Sequence, residues 1–147
     1  MTPIIFERTI LLEDLPIVWS AEKVTSSNDY EVVKEVTIDH GILGKIIEFE
    51  CGLTCAIKST NTETGVFAKW QIRSKRKWFD LFEEIFYPSD ASIYQEHTQY
   101  SRFKPFRSLR KPPFSLRLLV KSQDGNKGKA IGKIKTLSYF KVIYSVL

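Results

Sequence analysis

Hydrophobic and polar residues alternate with period two along most of the chain, and short polar clusters interrupt the alternation. Near the start, Ile4, Phe6, Ile10 and Leu12 alternate with Glu7, Thr9 and Glu13. LPIVWS (15–20) leads into the loop cluster TSSND, and YEVVKEVTID then sets Val32, Val36 and Ile38 on one face. Gly41 and Gly44 mark the next turn. KIIEFE and LTCAIKS read either as a strand pair or as one long strand bent at Gly52. After the polar hairpin loop STNTETG, VFAKWQIR turns Val66, Ala68, Trp70 and Ile72 one way and Phe67, Lys69, Gln71 and Arg73 the other.

The run Ser74-Lys75-Arg76-Lys77 reads as a hairpin tip. WFDLFEEIF beyond it fits a strand or a short helix, and its length and company favour a short strand followed by an irregular turn at Tyr87-Pro88-Ser89-Asp90. IYQEHTQYSRF alternates weakly, as an exposed strand does. KPFRSLRKPPF is a proline-bearing connection that cannot join a central ladder. FSLRLLVKS points Phe114, Leu116, Leu118 and Val120 inward, with Arg117 and Lys121 outward. QDGNKG is the strongest turn in the chain, since its residues tolerate positive φ. The closing segment bends or changes face near Leu137-Ser138 and ends with Phe140, Val142, Tyr144 and Val146 on one side.

About eight to ten short strands with no long helical pattern predict an all-β fold, a single antiparallel β-sandwich, jelly-roll-like or Ig-like. One domain spans residues 1–147, with Trp70, Ile72, Trp78, Leu81, Leu116, Leu118, Val142 and Tyr144 as its expected core. The composition agrees: 43% hydrophobic and 27% charged is a globular balance, and 13% aromatic favours pleated, half-buried surfaces. Charges interrupt every long apolar run, so no helical membrane insertion is expected. The start MTPIIFERTILLED lacks the basic and apolar regions of a signal peptide.

Charge is uneven. Residues 1–73 hold seven Lys/Arg against eleven Asp/Glu, whereas residues 74–147 hold fifteen against six. Such asymmetry suits an anionic partner, and it equally suits solvated strand faces whose lysines discourage edge pairing. The tip residues Arg73, Lys75, Arg76 and Lys77 are the candidate contact for a polyanion or protein partner. Trp70 lies on the apolar side of its strand, so it fills core rather than stacking on bases. Tyr94, Gln95, Gln99 and Tyr100 on one exposed strand are the candidate glycan contact, against a reading as ordinary cross-strand pairs.

No catalytic constellation emerges, so no enzyme, no cofactor and no metal site are expected. Cys51 and Cys55 lie on one strand face about 13 Å apart at about 3.3 Å per residue, too far for a disulfide unless the chain bends, and are expected as buried free thiols. His40 and His97 read as surface histidines, and Glu48/Glu50 and Glu83/Glu84 as solvated carboxylates. GNKGKAIG lacks the context of a phosphate loop.

The series GLTCAIKSTNTETGVFAKWQIRSKRKWFDL, SIYQEHTQYSRFKPF, FSLRLLVKS and GKAIGKIKTLSYFKVIY resembles β-sandwich modules of phage and archaeal-virus structural proteins over about residues 50–147. There a Lys-Trp-Gln strand meets a Trp-x-Asp-Leu strand across a tight hairpin, before a Leu-Arg-Leu strand and a closing Tyr-x-x-Val-x-Tyr strand. The tip departs from this pattern because Ser74-Lys75-Arg76-Lys77 has no glycine, so the turn is expected to be longer or to need no positive φ. The resemblance implies a virion or tail-associated assembly protein, homo-oligomeric and partnered by other virion proteins. It would be located in the virion, or in host cytoplasm during assembly.

Overall fold

A computed structural model describes residues 4–11, 19–42, 44–74, 76–88, 90–104, 113–135 and 138–146. Ten strands follow one another: β1 (Ile4–Leu11), β2 (Lys23–Thr25), β3 (Glu31–Ile38), β4 (Lys45–Ser59), β5 (Val66–Ser74), β6 (Lys77–Phe86), β7 (Gln95–Phe103), β8 (Phe114–Ser122), β9 (Ala130–Ile134) and β10 (Tyr139–Val146). They form two antiparallel sheets. One runs β1-β10-β4-β9-β2 with β7 on the other edge of β4, and the second runs β3-β8-β5-β6.

The pairs β1·β10, β3·β8, β4·β7 and β5·β6 nest a chain of hairpins inside one another. Between the two expected topologies, this arrangement is the jelly roll. KIIEFECGLTCAIKS is one continuous strand, β4, and the closing segment does break: β9 and β10 lie one after the other along the same edge of β4. At the break, the Ser138 hydroxyl accepts from the Thr54 amide at 2.8 Å and donates to its carbonyl at 3.2 Å. The connection at 105–112 and most of LPIVWS lie outside the described residues.

The interior joins the sheets through rings. Phe49 and Phe140 from one sheet sit 5.1 Å apart, and Phe114 from the other lies 5.9 and 5.1 Å from them in edge-on contacts. Around them Ile38, Leu53, Ile57, Val66, Ile72, Leu116, Leu118 and Val142 are buried. Trp70 is 3% exposed, as alternation predicts, while Leu81 and Tyr144 are half-buried against this core.

Trp78 corrects the expected core. Trp70 pairs with Phe82 but Gln71 pairs with Asp80, so Leu81 is an extra residue in β6. Without it, Trp78 would oppose Ser74 and face inward; with it, Trp78 opposes Arg73 on the outer face. A second bulge at Val33 acts the same way on β3, leaving Val32 39% exposed and packing Val33 against the core. WFDLFEEIF belongs to a ten-residue strand, neither helical nor short. Ser74 pairs with Lys77, so the hairpin tip is two residues long and the longer-turn expectation falls.

Neither glycine of the turn after β8 has a positive φ. Asp124 organises it instead, with its carbonyl accepting from Lys127 and Gly128 and its carboxylate from Asn126. Gly125 is required by closeness, because a Cβ there would stand 1.9 Å from the Ser26 carbonyl oxygen. The positive-φ glycine is Gly41, at 62°, directly after His40.

Replacing Trp70 with alanine should cost about 3–5 kcal/mol, the range for truncating a buried aromatic. Urea denaturation of Trp70→Ala measures it, and a midpoint equal to wild type would contradict the packing described.

Candidate functional site

The outer face of β5, β6 and β8 carries the basic tip. Arg73 is half-buried, Arg76 and Lys77 are exposed, and Lys75 lies outside the described residues. Here Trp78 becomes a platform: the guanidinium of Arg117 lies 3.8 Å from its ring centroid and that of Arg73 lies 5.0 Å away. Arg117 is held in place. Its Nε and Nη2 donate to the Oε1 of Gln71 at 3.0 and 2.8 Å, and the Gln71 amide donates to Asp80 Oδ1 at 2.7 Å. Gln71, at the centre of this relay, is 9% exposed, while Asp80 at its end is open to water. Burial lowers the affinity of Arg117 for its proton; the field of Glu35 opposes this, and the Arg73 charge adds to it.

Further along the same face, Lys121 and Lys69 lie 4.5 and 4.3 Å from the Tyr30 ring, and Lys121 lies 4.8 Å from Phe67. Phe67 is therefore half-buried, with the Lys121 ammonium over its ring, rather than free to stack. Lys69 also pairs with Asp80 at 3.7 Å.

The four candidate glycan residues do not form one platform. Gln99 turns inward from β7 and lines a small cavity between the sheets, whereas Tyr100 turns outward and is 71% exposed. Tyr94 and Gln95 line a separate depression with Pro88, Asp90 and Ile93. The Tyr94 ring is covered by Lys133 at 3.9 Å and Lys58 at 4.9 Å, and its hydroxyl donates to Glu22. Tyr100 and Tyr139 oppose Gly52 from either side, and a Cβ on Gly52 would meet both rings. With Thr54, Thr98 and Lys135 they border an open depression of about 230 Å³. Each ring covers backbone that the glycine would otherwise leave bare.

The carboxylates Glu48 and Glu50 sit in a row of charges across four strands. Arg102 reaches Glu48 at 2.8 Å and Glu50 at 4.0 Å, while Lys141 lies 3.9 Å from Glu50 and 3.6 Å from Glu7. Among the described residues, no three His, Cys, Asp or Glu side chains gather where they could hold a metal ion. Cys51 and Cys55 are buried free thiols, and burial pushes each up to about 12, far from a reactive thiolate. No helix of the described residues is long and apolar enough to cross a membrane.

Both histidines correct the expectation of surface positions. His40 is fully buried because the turn at Gly41 folds its ring between Phe49 and Phe114, where Nδ1 accepts from the Ile42 amide at 3.0 Å. Its carbonyl accepts from Arg8 Nη1 at 2.6 Å. His97 is half-buried on the inner face of β7, its ring tilted against that of Phe86 with centroids 3.7 Å apart. Cys55, Ala68, Trp70, Phe82 and Gln99 line the cavity beside it, with the Glu84 carboxylate at the rim.

No family model matches this chain, and no curated protein matches it. Solved structures do. A mutant VP2 protein of infectious bursal disease virus, in derived T=1 particles, is similar with a TM-score of 0.50 at 8% identity, over 96% of this chain and 36% of that one. The Gt strain of the same virus gives 0.49 at 10% identity, over 97% and 33%. An empty virus-like particle of cowpea mosaic virus gives 0.36 at 10% identity, over 92% and 88%. The chain spans about a third of the length of the bursal disease virus proteins it matches.

His97 should make the stability of the fold depend on pH. Burial holds its imidazole below the ordinary 6.5, and the nearby Glu84 carboxylate opposes the shift. A folded-state pKa below the unfolded value means that its contribution is complete at neutral pH. It is lost as pH falls below the ordinary value, because the unfolded chain then binds the proton more readily. Between about pH 7.5 and about pH 5.5 the urea midpoint should fall, and His97→Leu should make that fall shallower. An equal fall in the variant would assign the response elsewhere. Among the described residues the arrangement is a two-sheet antiparallel jelly roll, and the VP2 structure is similar to it in fold.

Proposed function

We propose that this chain is a non-enzymatic virion or tail-associated structural module, of the phage or archaeal-virus kind, that assembles through strand edges and loops. Its partners are copies of itself and other virion proteins, in the particle or in host cytoplasm during assembly. The observation that carries the reading is β1. This strand lies at the edge of its sheet, and among the described residues no strand pairs along its outer side. It exposes Ile4, Ile5, Phe6 and Leu11 at 61, 54, 42 and 47%, next to Val146 at 48%.

An apolar strand with an open edge is an aggregation hazard unless a partner covers it, and a second copy of the chain is the simplest partner. The similar VP2 protein in T=1 particles supports an assembling role for this fold. A non-enzymatic role is supported by the candidate nucleophiles and bases: both thiols are buried, and His40 is enclosed by phenylalanine rings.

Light scattering on the purified chain tests the proposal. A homo-oligomer is expected, and Ile5→Lys combined with Leu11→Lys should yield a monomer with unchanged thermal stability, since lysine blunts an exposed edge. A monomeric wild type at high concentration, or an unaltered oligomer in the double variant, contradicts it.

A further inference from the structure

The Trp78 platform has no account in an assembly role. Two guanidinium groups, Arg73 and Arg117, share one indole ring, and Arg76 and Lys77 stand exposed at the adjoining tip. Four other outer-face cations have acid partners: Lys23 pairs with Glu31, Lys69 with Asp80, Arg102 with Glu48, and Lys141 with Glu7, whereas Lys121 and Lys133 lie over tyrosine rings. Among the described residues, no carboxylate lies within ion-pair distance of Arg73, Arg76, Lys77 or Arg117. Asp80, the nearest acid in the relay, takes its hydrogen bond from Gln71 and its ion pair from Lys69.

Holding like charges together opposes folding, and Glu35, across the β3·β8 pair from Arg117, is the carboxylate whose field favours the Arg117 charge; beyond this the structure adds a dedicated brace. Gln71 gives its carbonyl oxygen to two Arg117 donors, so the guanidinium plane is fixed over the indole before any ligand arrives. That geometry uses Nε and Nη2, and among the described residues Nη1 makes no hydrogen bond. A guanidinium plane stacked on an aromatic ring still offers donors at its edge for phosphate oxygens. Its open face can support a nucleobase.

We infer that the Arg73–Trp78–Arg117 stack, with Arg76 and Lys77 beside it, is a binding site for single-stranded nucleic acid. Phosphates are held by the guanidinium edges and a base lies against the stacked plane. Arg117 is the principal contact, and Gln71 is its positioning residue. The site is on the outer face of the β3-β8-β5-β6 sheet, whereas the assembly edge proposed above belongs to the other sheet. Failure of one reading therefore leaves the other standing.

Fluorescence anisotropy of a labelled single-stranded thymidine oligomer with the full chain tests the inference. With about three phosphates neutralised, affinity should fall about 20-fold between about 50 and about 200 mM salt. Arg117→Gln and Arg73→Gln should each weaken binding about tenfold, and Arg73→Gln, which breaks no hydrogen bond to Gln71, should melt like wild type. Lys127→Gln combined with Lys129→Gln removes two charges at the distant β8–β9 turn and should leave binding nearly unchanged. Gln71→Leu should weaken binding without altering net charge, an effect that charge alone cannot produce. Absence of binding at the lower salt overturns the inference. Equal losses in the Lys127/Lys129 variant also overturn it, since they indicate attraction to net charge only. Duplex binding as tight as single-strand binding removes the base-stacking role.

Discussion

The pairing of both edges of β4 is the constraint on which the rest of the molecule depends. This fifteen-residue strand receives β10 and then β9 along one edge and β7 along the other. From Cys51 to Ile57 every residue is buried, on both faces. The inner face supplies Phe49, Leu53 and Ile57 to the core. The outer face carries the small residues Gly52, Thr54 and Ala56, and Tyr100 and Tyr139 lie over the glycine. A larger residue at Gly52 would push both tyrosines away and loosen two strand pairs at once. The break between β9 and β10 is stitched back to Thr54 by Ser138, so β4 also aligns the two halves of the closing segment.

Much of this could be read directly from alternation. The strand character of VFAKWQIR, FSLRLLVKS and the closing segment follows from period two, and so do the inward positions of Trp70, Ile72, Leu116, Leu118 and Val142. Alternation assigns faces only until a residue is inserted. The extra Leu81 in β6 reverses every face between it and the tip, which moves Trp78 from core to surface. Val33 does the same in β3. Nothing in the composition of WFDLFEEIF or YEVVKEVTID marks these insertions, because leucine and valine suit either side of a strand. His40 was equally hidden: its burial depends on the Gly41 turn and on Phe49 and Phe114, all supplied by the folded arrangement.

The candidate site shows the same division. The basic tip was visible as a run of charges, but Arg117 is remote in sequence and reaches the tip only through the β5·β8 pairing, where it opposes Gln71. That pairing turns a loop of solvated lysine and arginine into a braced guanidinium on an indole. The glycan candidates fared differently, because Gln99 and Tyr100 are neighbours on a strand and so must point to opposite faces. Two surfaces with different physics remain: an apolar edge along β1 and a cationic platform on the opposite sheet.

If a jelly roll organised by β4 associates as proposed, the apolar edge strand β1 is completed by another copy of the chain. Hydrogen exchange, followed peptide by peptide at low and high protein concentration, tests it most directly. Residues 45–59 should exchange slowly at both concentrations, while residues 4–11 should exchange quickly when dilute and slowly when concentrated. Protection of residues 4–11 that does not change with concentration while the mass rises, or exchange in 45–59 as fast as in 4–11, would contradict it.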